Sequence, residues 1–228
     1  MSTMHAHSSR RPAVAGMFYP ADAGELHRTV HDCLDRGRAV SPPTAPRAII
    51  APHAGYVYSG WLAGAAWAST EAADIAHAVV LSPSHRHAFD GIALPSGTRF
   101  VMPGFDLAIN DTGRAALVEA GLAHVEDAAH DREHGAETQF PFLSALHARA
   151  DVLPLVLGRV DDAQVAAAID LLDALLDGKQ DRPLFVLSSD LSHSSHRKTA
   201  ARAAVRQDRA AGQNRGAGAS SPGSMPAG

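Results

Sequence analysis

Histidine is the residue type whose number and placement point to chemistry, because the 228-residue chain contains 14 of them. Three lie in clusters of polar residues that follow short apolar segments, namely His53, His85 and His193. Imidazole is the commonest metal ligand and the usual acid–base group in proteins. If the apolar segments are parallel strands, their carboxyl ends meet at one edge of a sheet, where ligands bind. The three loops therefore predict a site for Fe, Cu or Zn with an open coordination position.

A fourth polar cluster precedes a predicted helix. Glu133, His134 and Glu137 fall within about one turn, in the segment Asp131-Arg-Glu-His-Gly-Ala-Glu137. Two interpretations stay open. The three side chains could point into a pocket, or they could form the charged first turn of a helix, where acids favour the helix dipole.

Other reaction types have weaker support in the sequence. Gly55, Gly60 and Gly64 form neither a phosphate-binding loop nor a dinucleotide fingerprint. A Gly-x-Ser-x-Gly elbow is absent as well. Serines do lie beside the histidines, which leaves a serine hydrolase open, although nothing selects one of them as the nucleophile. The single cysteine, Cys33, falls on the apolar stripe of a predicted helix, which favours a buried core thiol.

The elements that must position these side chains alternate along the chain. Short apolar strands without polar alternation are separated by helices, a pattern typical of a mainly parallel sheet covered on both faces. The fold class predicted is α/β, with a single α/β/α domain. The predicted strands are Arg47–Ala51, Ala78–Leu81, Gly91–Leu94, Val152–Leu157 and Leu184–Leu187, and the predicted helices span 22–37, 59–70, 113–120, 135–149 and about 161–177.

Composition excludes several classes of protein. Hydrophobic residues make up 46% of the chain, enough for a sizeable core. The net charge of −4 disfavours a nucleic-acid partner. One cysteine makes no internal disulfide, and we find no secretory leader or membrane-spanning run, so the expectation is a cytoplasmic protein without a membrane partner.

Three segments are expected from the composition. Residues 1–10 form a flexible N-terminus and residues 11–197 form the α/β domain. Residues 198–228 contain no Leu, Ile, Phe, Tyr or Trp and are expected to be a low-complexity, largely disordered tail.

Four motifs of this chain resemble the Memo family, whose bacterial members are called AmmeMemoRadiSam system protein B. The motifs are Ala48-Ile-Ile-Ala-Pro-His-Ala-Gly-Tyr56, Leu81-Ser-Pro-Ser-His85, Glu133-His134 with Glu137, and Ser188-Ser-Asp-Leu-Ser-His193. The resemblance covers about 11–193. It implies a fold similar to the LigB-like class III extradiol dioxygenases, which use non-haem Fe(II), and a functional link to a radical-SAM protein.

The resemblance also implies roles for individual residues. His53 and His85 match the two metal-binding histidines, and His193 matches the acid–base histidine of the dioxygenases, with Asp190 beside it. The family commonly has a cysteine near its C-terminus as third ligand. This sequence departs from the family after His193 and has no such cysteine, so we expect the domain to lack its C-terminal elements and the metal site to be incomplete, unless Glu133, Glu137 or Asp190 replaces the missing ligand.

The main hypothesis is a metal-dependent redox or oxygenase-like protein that holds Fe(II) or Cu on His53 and His85 and acts on an unknown small molecule. His193 serves as general acid–base and Asp190 orients it. The side chains predicted to line the substrate pocket are Tyr19, Tyr56, His134 and Glu137. The alternatives are a non-catalytic binding or adaptor protein that uses the same cleft, or an impaired, truncated homologue.

Overall fold

A computed structural model describes residues 9–177 and 182–190 of the chain. Its helices are α1 (Ala23–Arg38), α2 (Tyr56–Ala68), α3 (Asp111–Glu119), α4 (Phe140–Leu146) and α5 (Asp162–Leu176). Its strands are β1 (Ser9–Arg10), β2 (Ala48–Ala51), β3 (His77–Pro83), β4 (Ile92–Leu94), β5 (Arg99–Met102), β6 (Phe105–Ala108), β7 (His124–Val125), β8 (Asp151–Leu157) and β9 (Pro183–Ser188). Single 3₁₀ turns cover Asp127–Ala129 and Glu137–Gln139.

The six-stranded sheet has the order β2-β9-β3-β8-β4-β7. The first four strands in this order run parallel, and β4 is antiparallel to β8. This arrangement confirms the prediction of an α/β fold with a mainly parallel sheet flanked by helices. Within the described residues, no helix is both long and apolar enough to cross a membrane.

The register of the parallel strands sets where the functional loops begin. Leu187 of β9 lies opposite Ile50 of β2 on one side and Leu81 of β3 on the other. The chain therefore leaves all three strands at the same level of the sheet. His53 and His85 follow within a few residues, so they start from one edge, as expected for loops at the carboxyl ends of parallel strands.

Helix α1 begins where the sequence predicts. The side chain of Asp22 accepts a hydrogen bond from the backbone N–H of Glu25, which caps the first turn. The apolar stripe of the helix, which includes Leu26 and Leu34, is buried. Cys33 is buried beside them, which confirms that it is a core thiol.

Helices α1 and α2 touch backbone to backbone through two glycines. A Cβ added to Gly64 would lie 2.3 Å from the carbonyl oxygen of Cys33, and one added to Gly37 would lie 2.5 Å from the backbone nitrogen of Ala65. Neither neighbour is a side chain that could move aside. The close approach of the two helices therefore requires glycine at both positions.

Substituting Gly64→Ala should consequently destabilise the protein by about 1–3 kcal/mol, the usual cost of overpacking a filled contact. Urea unfolding of the variant beside the native protein measures this. The same substitution would raise helix propensity at an exposed position, so an unchanged or higher free energy of unfolding would show that α1 and α2 do not pack this closely.

Two parts of the chain differ from the sequence prediction. The helix predicted over 135–149 is a 3₁₀ turn, Glu137–Gln139, followed by the shorter α4. Pro141 at the start of α4 has no N–H to continue the preceding turn, and His147 leaves the helical conformation at φ −133°. The hairpin of β5 and β6 was not predicted from the sequence. Its turn uses Gly104 at φ +86°, a conformation that favours glycine.

One buried histidine lies apart from the strand-end loops. His130 is 3% exposed, and its Nε2 lies 3.1 Å from the carbonyl oxygen of Ala93. Burial, helped by the positive charge of Arg10, lowers the pKa of His130 from 6.5 to about 4. The imidazole is therefore neutral in the folded protein at neutral pH.

This pKa difference predicts an acid-sensitive contribution to stability. Between about pH 6.5 and pH 4 the unfolded chain binds a proton at His130 that the folded protein does not, so the free energy of unfolding falls as the pH is lowered through this window. Over the whole window the difference in the pKa of His130 lowers the free energy of unfolding by about 3 kcal/mol. In His130→Gln, whose amide can still donate to Ala93, urea unfolding should depend less steeply on pH. An equal slope in both proteins would rule out His130 as the source.

Candidate metal centre

His53 is fixed by the carboxylate that follows β9. The Oδ1 atom of Asp190 accepts hydrogen bonds from the backbone N–H of His53 at 2.9 Å and of Ala54 at 3.2 Å. These contacts tie the loop after β2 to the loop after β9. The Oδ2 atom of the same carboxylate lies 3.8 Å from His53 Nε2.

Glu133 holds both the ring and the backbone of His85. Glu133 Oε1 lies 2.8 Å from His85 Nδ1, and its Oε2 accepts the backbone N–H of His85 at 2.7 Å. Oε1 also accepts the backbone N–H groups of His134 and Gly135. Since an ionised carboxylate only accepts hydrogen bonds, His85 carries a hydrogen on Nδ1. In the neutral ring, Nε2 then has a lone pair that can bind a metal ion.

The ring of His134 completes a cluster of three imidazoles. Its centroid lies 4.4 Å from that of His85 and 5.3 Å from that of His53, and the His53 and His85 centroids are 4.9 Å apart. One ring nitrogen from each lies within 4.8 Å of the others, so the three histidines could hold a metal ion. Phe18 packs against His134 with a centroid distance of 4.6 Å.

The most informative atom of the cluster is Nε2 of His53. The residue is 1% exposed, and Nε2 is a buried polar atom with no hydrogen-bond partner among the described residues. Leaving a buried polar atom unpaired costs free energy, so such an atom in a folded protein calls for an explanation. A metal ion bound between the imidazoles would satisfy it, and the donor set therefore fits a metal.

The surroundings of His53 and His134 favour their neutral forms. Burial lowers the pKa of His53, and burial followed by the neighbouring histidines lowers that of His134 to about 4 in spite of Glu133. Burial alone would raise the pKa of Glu133, but the hydrogen bonds from His85 and Gly135 lower it. Neutral imidazole is the form that binds metal ions, so this environment suits ligation.

The residues predicted for the substrate pocket lie in two places. Tyr19 and Tyr56 are buried and border a cavity of about 580 Å³ between residues 16–21, α1 and the start of α2. Burial raises the pKa of both phenols. His134 instead belongs to the imidazole cluster itself, where its sequence neighbour Glu133 is the partner of His85.

Glu137 is fully buried and holds the segment that precedes α1. Its carboxylate accepts the backbone N–H groups of Ala13 and Val14 and the hydroxyl of Tyr19, and it lies 3.2 Å from Arg10. The four contacts anchor residues 10–19 to the 3₁₀ turn beside the cluster. This role could not be predicted from the sequence, since it depends on partners more than a hundred residues away.

His87, another histidine of the strand-end loops, does not join the cluster. His87 lies 2.6 Å from the carboxylate of Glu126, which also contacts His124. His193, predicted as the acid–base residue, lies outside the described residues. The polar groups that sequence reasoning missed are Glu133 as the partner of His85, and Ser188, whose Oγ lies 3.2 Å from His53 Nδ1.

Replacing Glu133→Gln should weaken metal binding by about 10- to 100-fold, the usual effect of losing an outer partner of a ligating histidine. The amide has only one acceptor oxygen for the N–H groups that the carboxylate now accepts. Equilibrium dialysis with Fe(II) or Cu(II) measures the affinity. Glu126→Gln, at a carboxylate that contacts His87 and His124, is the matched control and should leave the affinity unchanged. Equal affinities in all three proteins would show that Glu133 does not support a metal ligand.

Comparison with known protein sequences places this chain in a family. The sequence profile of the Memo-like protein family matches residues 10–213. A MEMO1 family protein of Methanobrevibacter smithii is 31% identical over 198 residues, covering 81% of this chain and 69% of the relative. One of Aquifex aeolicus is 34% identical over 186 residues, with 81% and 67% covered, and one of Thermotoga maritima is 31% identical over 212 residues, with 85% and 73% covered.

Proposed function

Because the chain belongs to the Memo-like protein family, we propose that His53, His85 and His134 hold one iron or copper ion and that the protein uses it in a redox or oxygenase-like reaction. The observation that carries the proposal is the buried Nε2 of His53, which has no hydrogen-bond partner among the described residues, on a histidine that offers a ligand atom within 4.8 Å of those of two further imidazoles. Three imidazoles are a donor set that suits Fe, Cu and Zn.

A bound iron or copper ion would supply a Lewis acid and one-electron chemistry at this edge of the sheet. The protein's own contribution is to prepare the ligands. Glu133 orients His85 through its Nδ1, and Asp190 holds the backbone of His53 in place. Phe18 covers a part of the His134 ring and limits the access of water to it.

Proton transfer is assigned to the residues after β9. A side chain placed near the reacting group contributes typically about 10²- to 10⁴-fold to a rate by general acid–base catalysis. Asp190 is assigned the role of orienting the acid–base residue; its Oδ2 lies 3.8 Å from His53 Nε2, and its Oδ1 accepts two backbone N–H groups. We assign the acid–base role itself to His193, three residues further on.

The substrate is assigned to the adjoining cavity of about 580 Å³, which Tyr19 and Tyr56 border. Phe18 contacts His134 and also lines this cavity, so its side chain lies between the cavity and the imidazole cluster. Glu137 accepts hydrogen bonds from the backbone of residues 13 and 14 and from the Tyr19 hydroxyl, and so holds in place the segment that lines part of this cavity.

The experiment that tests the function combines metal analysis with oxygen consumption. Purified protein is loaded with Fe(II) or Cu under reducing conditions, and oxygen uptake is followed with catechol-like substrates. One tightly bound ion per chain and metal-dependent uptake support the proposal. Bound metal without turnover of any substrate would instead favour a binding or adaptor protein, and tight binding of Zn²⁺ alone would contradict the redox role.

A further inference from the structure

A line of buried, hydrogen-bonded side chains connects Trp67 of helix α2 to the imidazole cluster. Trp67, Gln139, Ser188 and His53 are each no more than 1% exposed. Consecutive members are joined by contacts of 2.9 Å from Trp67 Nε1 to Gln139 Oε1, 3.0 Å from Gln139 Nε2 to Ser188 Oγ, and 3.2 Å from Ser188 Oγ to His53 Nδ1. Because water has little access to these atoms, each hydrogen must be placed between protein atoms.

The orientation of the Gln139 amide follows from its neighbours. Trp67 Nε1 can only donate a hydrogen bond, so the atom facing it must be the oxygen of Gln139. The amide nitrogen then faces the carbonyl oxygen of Pro52 at 3.0 Å, which can only accept. In a flipped amide the NH₂ group would face the N–H of Trp67, and the amide oxygen would face the carbonyl oxygen of Pro52. Only the orientation with the oxygen facing Trp67 satisfies both contacts.

The hydrogen of the Ser188 hydroxyl is fixed in turn. Ser188 has one hydrogen to donate, and the Gln139 nitrogen cannot accept it. The carbonyl oxygen of Gly135 lies 2.5 Å from Ser188 Oγ, and two oxygen atoms this close require a hydrogen between them. The hydroxyl therefore donates to Gly135, and the contact to His53 Nδ1 is satisfied only if Ser188 accepts.

We propose that Ser188, oriented by Gln139 and Trp67, is the positioning residue that fixes His53 in the tautomer with its hydrogen on Nδ1, and so directs the Nε2 lone pair at the imidazole cluster. The inference deepens the proposed function and rests on it only for its effect on metal affinity. His85 is held in the same tautomer by a carboxylate, whereas His53 depends on a neutral hydroxyl.

The tautomer can be read directly from the two-bond ¹H–¹⁵N correlations of the imidazoles in the metal-free protein at neutral pH. The native protein should show His53 with hydrogen on Nδ1. In Ser188→Ala the Nδ1 hydrogen loses its acceptor, while the carboxylate oxygen 3.8 Å from Nε2 favours a hydrogen there, so the Nε2–H form should appear. His85, held by Glu133, should not change.

Ser82→Ala is the matched control. Ser82 lies in the neighbouring strand β3, is 1% exposed, and its Oγ has no hydrogen-bond partner among the described residues. Ser82→Ala removes the same hydroxyl group from an equally buried position of the sheet, so an effect of the lost hydroxyl volume alone should appear in both variants. The His53 correlations should respond to Ser188→Ala alone.

Metal affinity provides the second measurement. In equilibrium dialysis with Cu(II), Ser188→Ala should bind about 10- to 100-fold more weakly than the native protein and Ser82→Ala as tightly. Native His53 found with hydrogen on Nε2 overturns the proposal even if no variant folds, and so does an unchanged tautomer in folded Ser188→Ala. If native His53 has its hydrogen on Nδ1 and responds as expected but no metal binds, the positioning role stands and the proposed metal function fails.

Discussion

Replacing His53 or His85 by alanine is expected to abolish tight binding of iron or copper while the protein stays folded. Each imidazole would supply one of three ligands, and even the loss of an outer partner typically costs about 10- to 100-fold in affinity, so loss of a ligand should exceed about 100-fold. Both histidines lie on loops after strands rather than in the apolar core. Metal content after dialysis and circular dichroism of the same samples measure the two parts of the expectation.

His134→Ala should behave like the other two variants if the cluster acts as a unit. His27→Ala is the matched control, because His27 is an exposed histidine on α1 that is remote in sequence from the cluster. Full metal occupancy in the His53 and His85 variants would show that the metal site is wrongly assigned. Unfolding of both would instead show that the two histidines serve the fold.

Removing the charge of Glu137 is expected to have the largest effect on stability. Glu137→Gln leaves the partly buried guanidinium of Arg10 without its counter-charge and replaces one acceptor oxygen by a donor facing backbone N–H groups. Breaking a buried pair from one side typically costs about 3–5 kcal/mol. Urea unfolding of the metal-free protein should show a loss of this size.

Two further variants identify the origin of that loss. Glu119→Gln changes an exposed glutamate at the end of α3 and should leave the free energy of unfolding unchanged within about 0.5 kcal/mol. The double variant Arg10→Met, Glu137→Gln removes both charges and should be more stable than Glu137→Gln alone. A Glu137→Gln protein as stable as the native one would show that the carboxylate does not anchor the segment before α1.

The helices and strands were largely predictable because their signals are local. Asp22 caps α1 and Asp161 caps α5, each at the start of a predicted helix, since a side chain three residues before the N–H that it binds can be recognised in the sequence. The apolar strands were found within a few residues of their bounds. The hairpin of β5 and β6 was missed, because its short strands combine charged and apolar residues and pair mainly with each other.

The site was predictable as far as the sheet geometry determines it. His53 and His85 follow parallel strands, and parallel strands end at one edge of a sheet, so their proximity follows from the fold class. His134 does not follow a strand. Its ring reaches the cluster because the carboxylate of Glu133 binds both the side chain of His85 and the backbone of His134, a contact between groups 48 residues apart.

The sequence by itself determined the fold class, the family and two of the three clustered histidines, because apolar periodicity, capping residues and strand ends are properties of neighbouring residues. Only the tertiary structure determined that His134 supplies the third imidazole of the cluster, that Glu137 anchors the segment before α1, and that hydrogen bonds run from Trp67 to His53. These depend on distances of a few ångströms between side chains far apart in the chain. Such distances are set by how the elements pack, which no local pattern encodes.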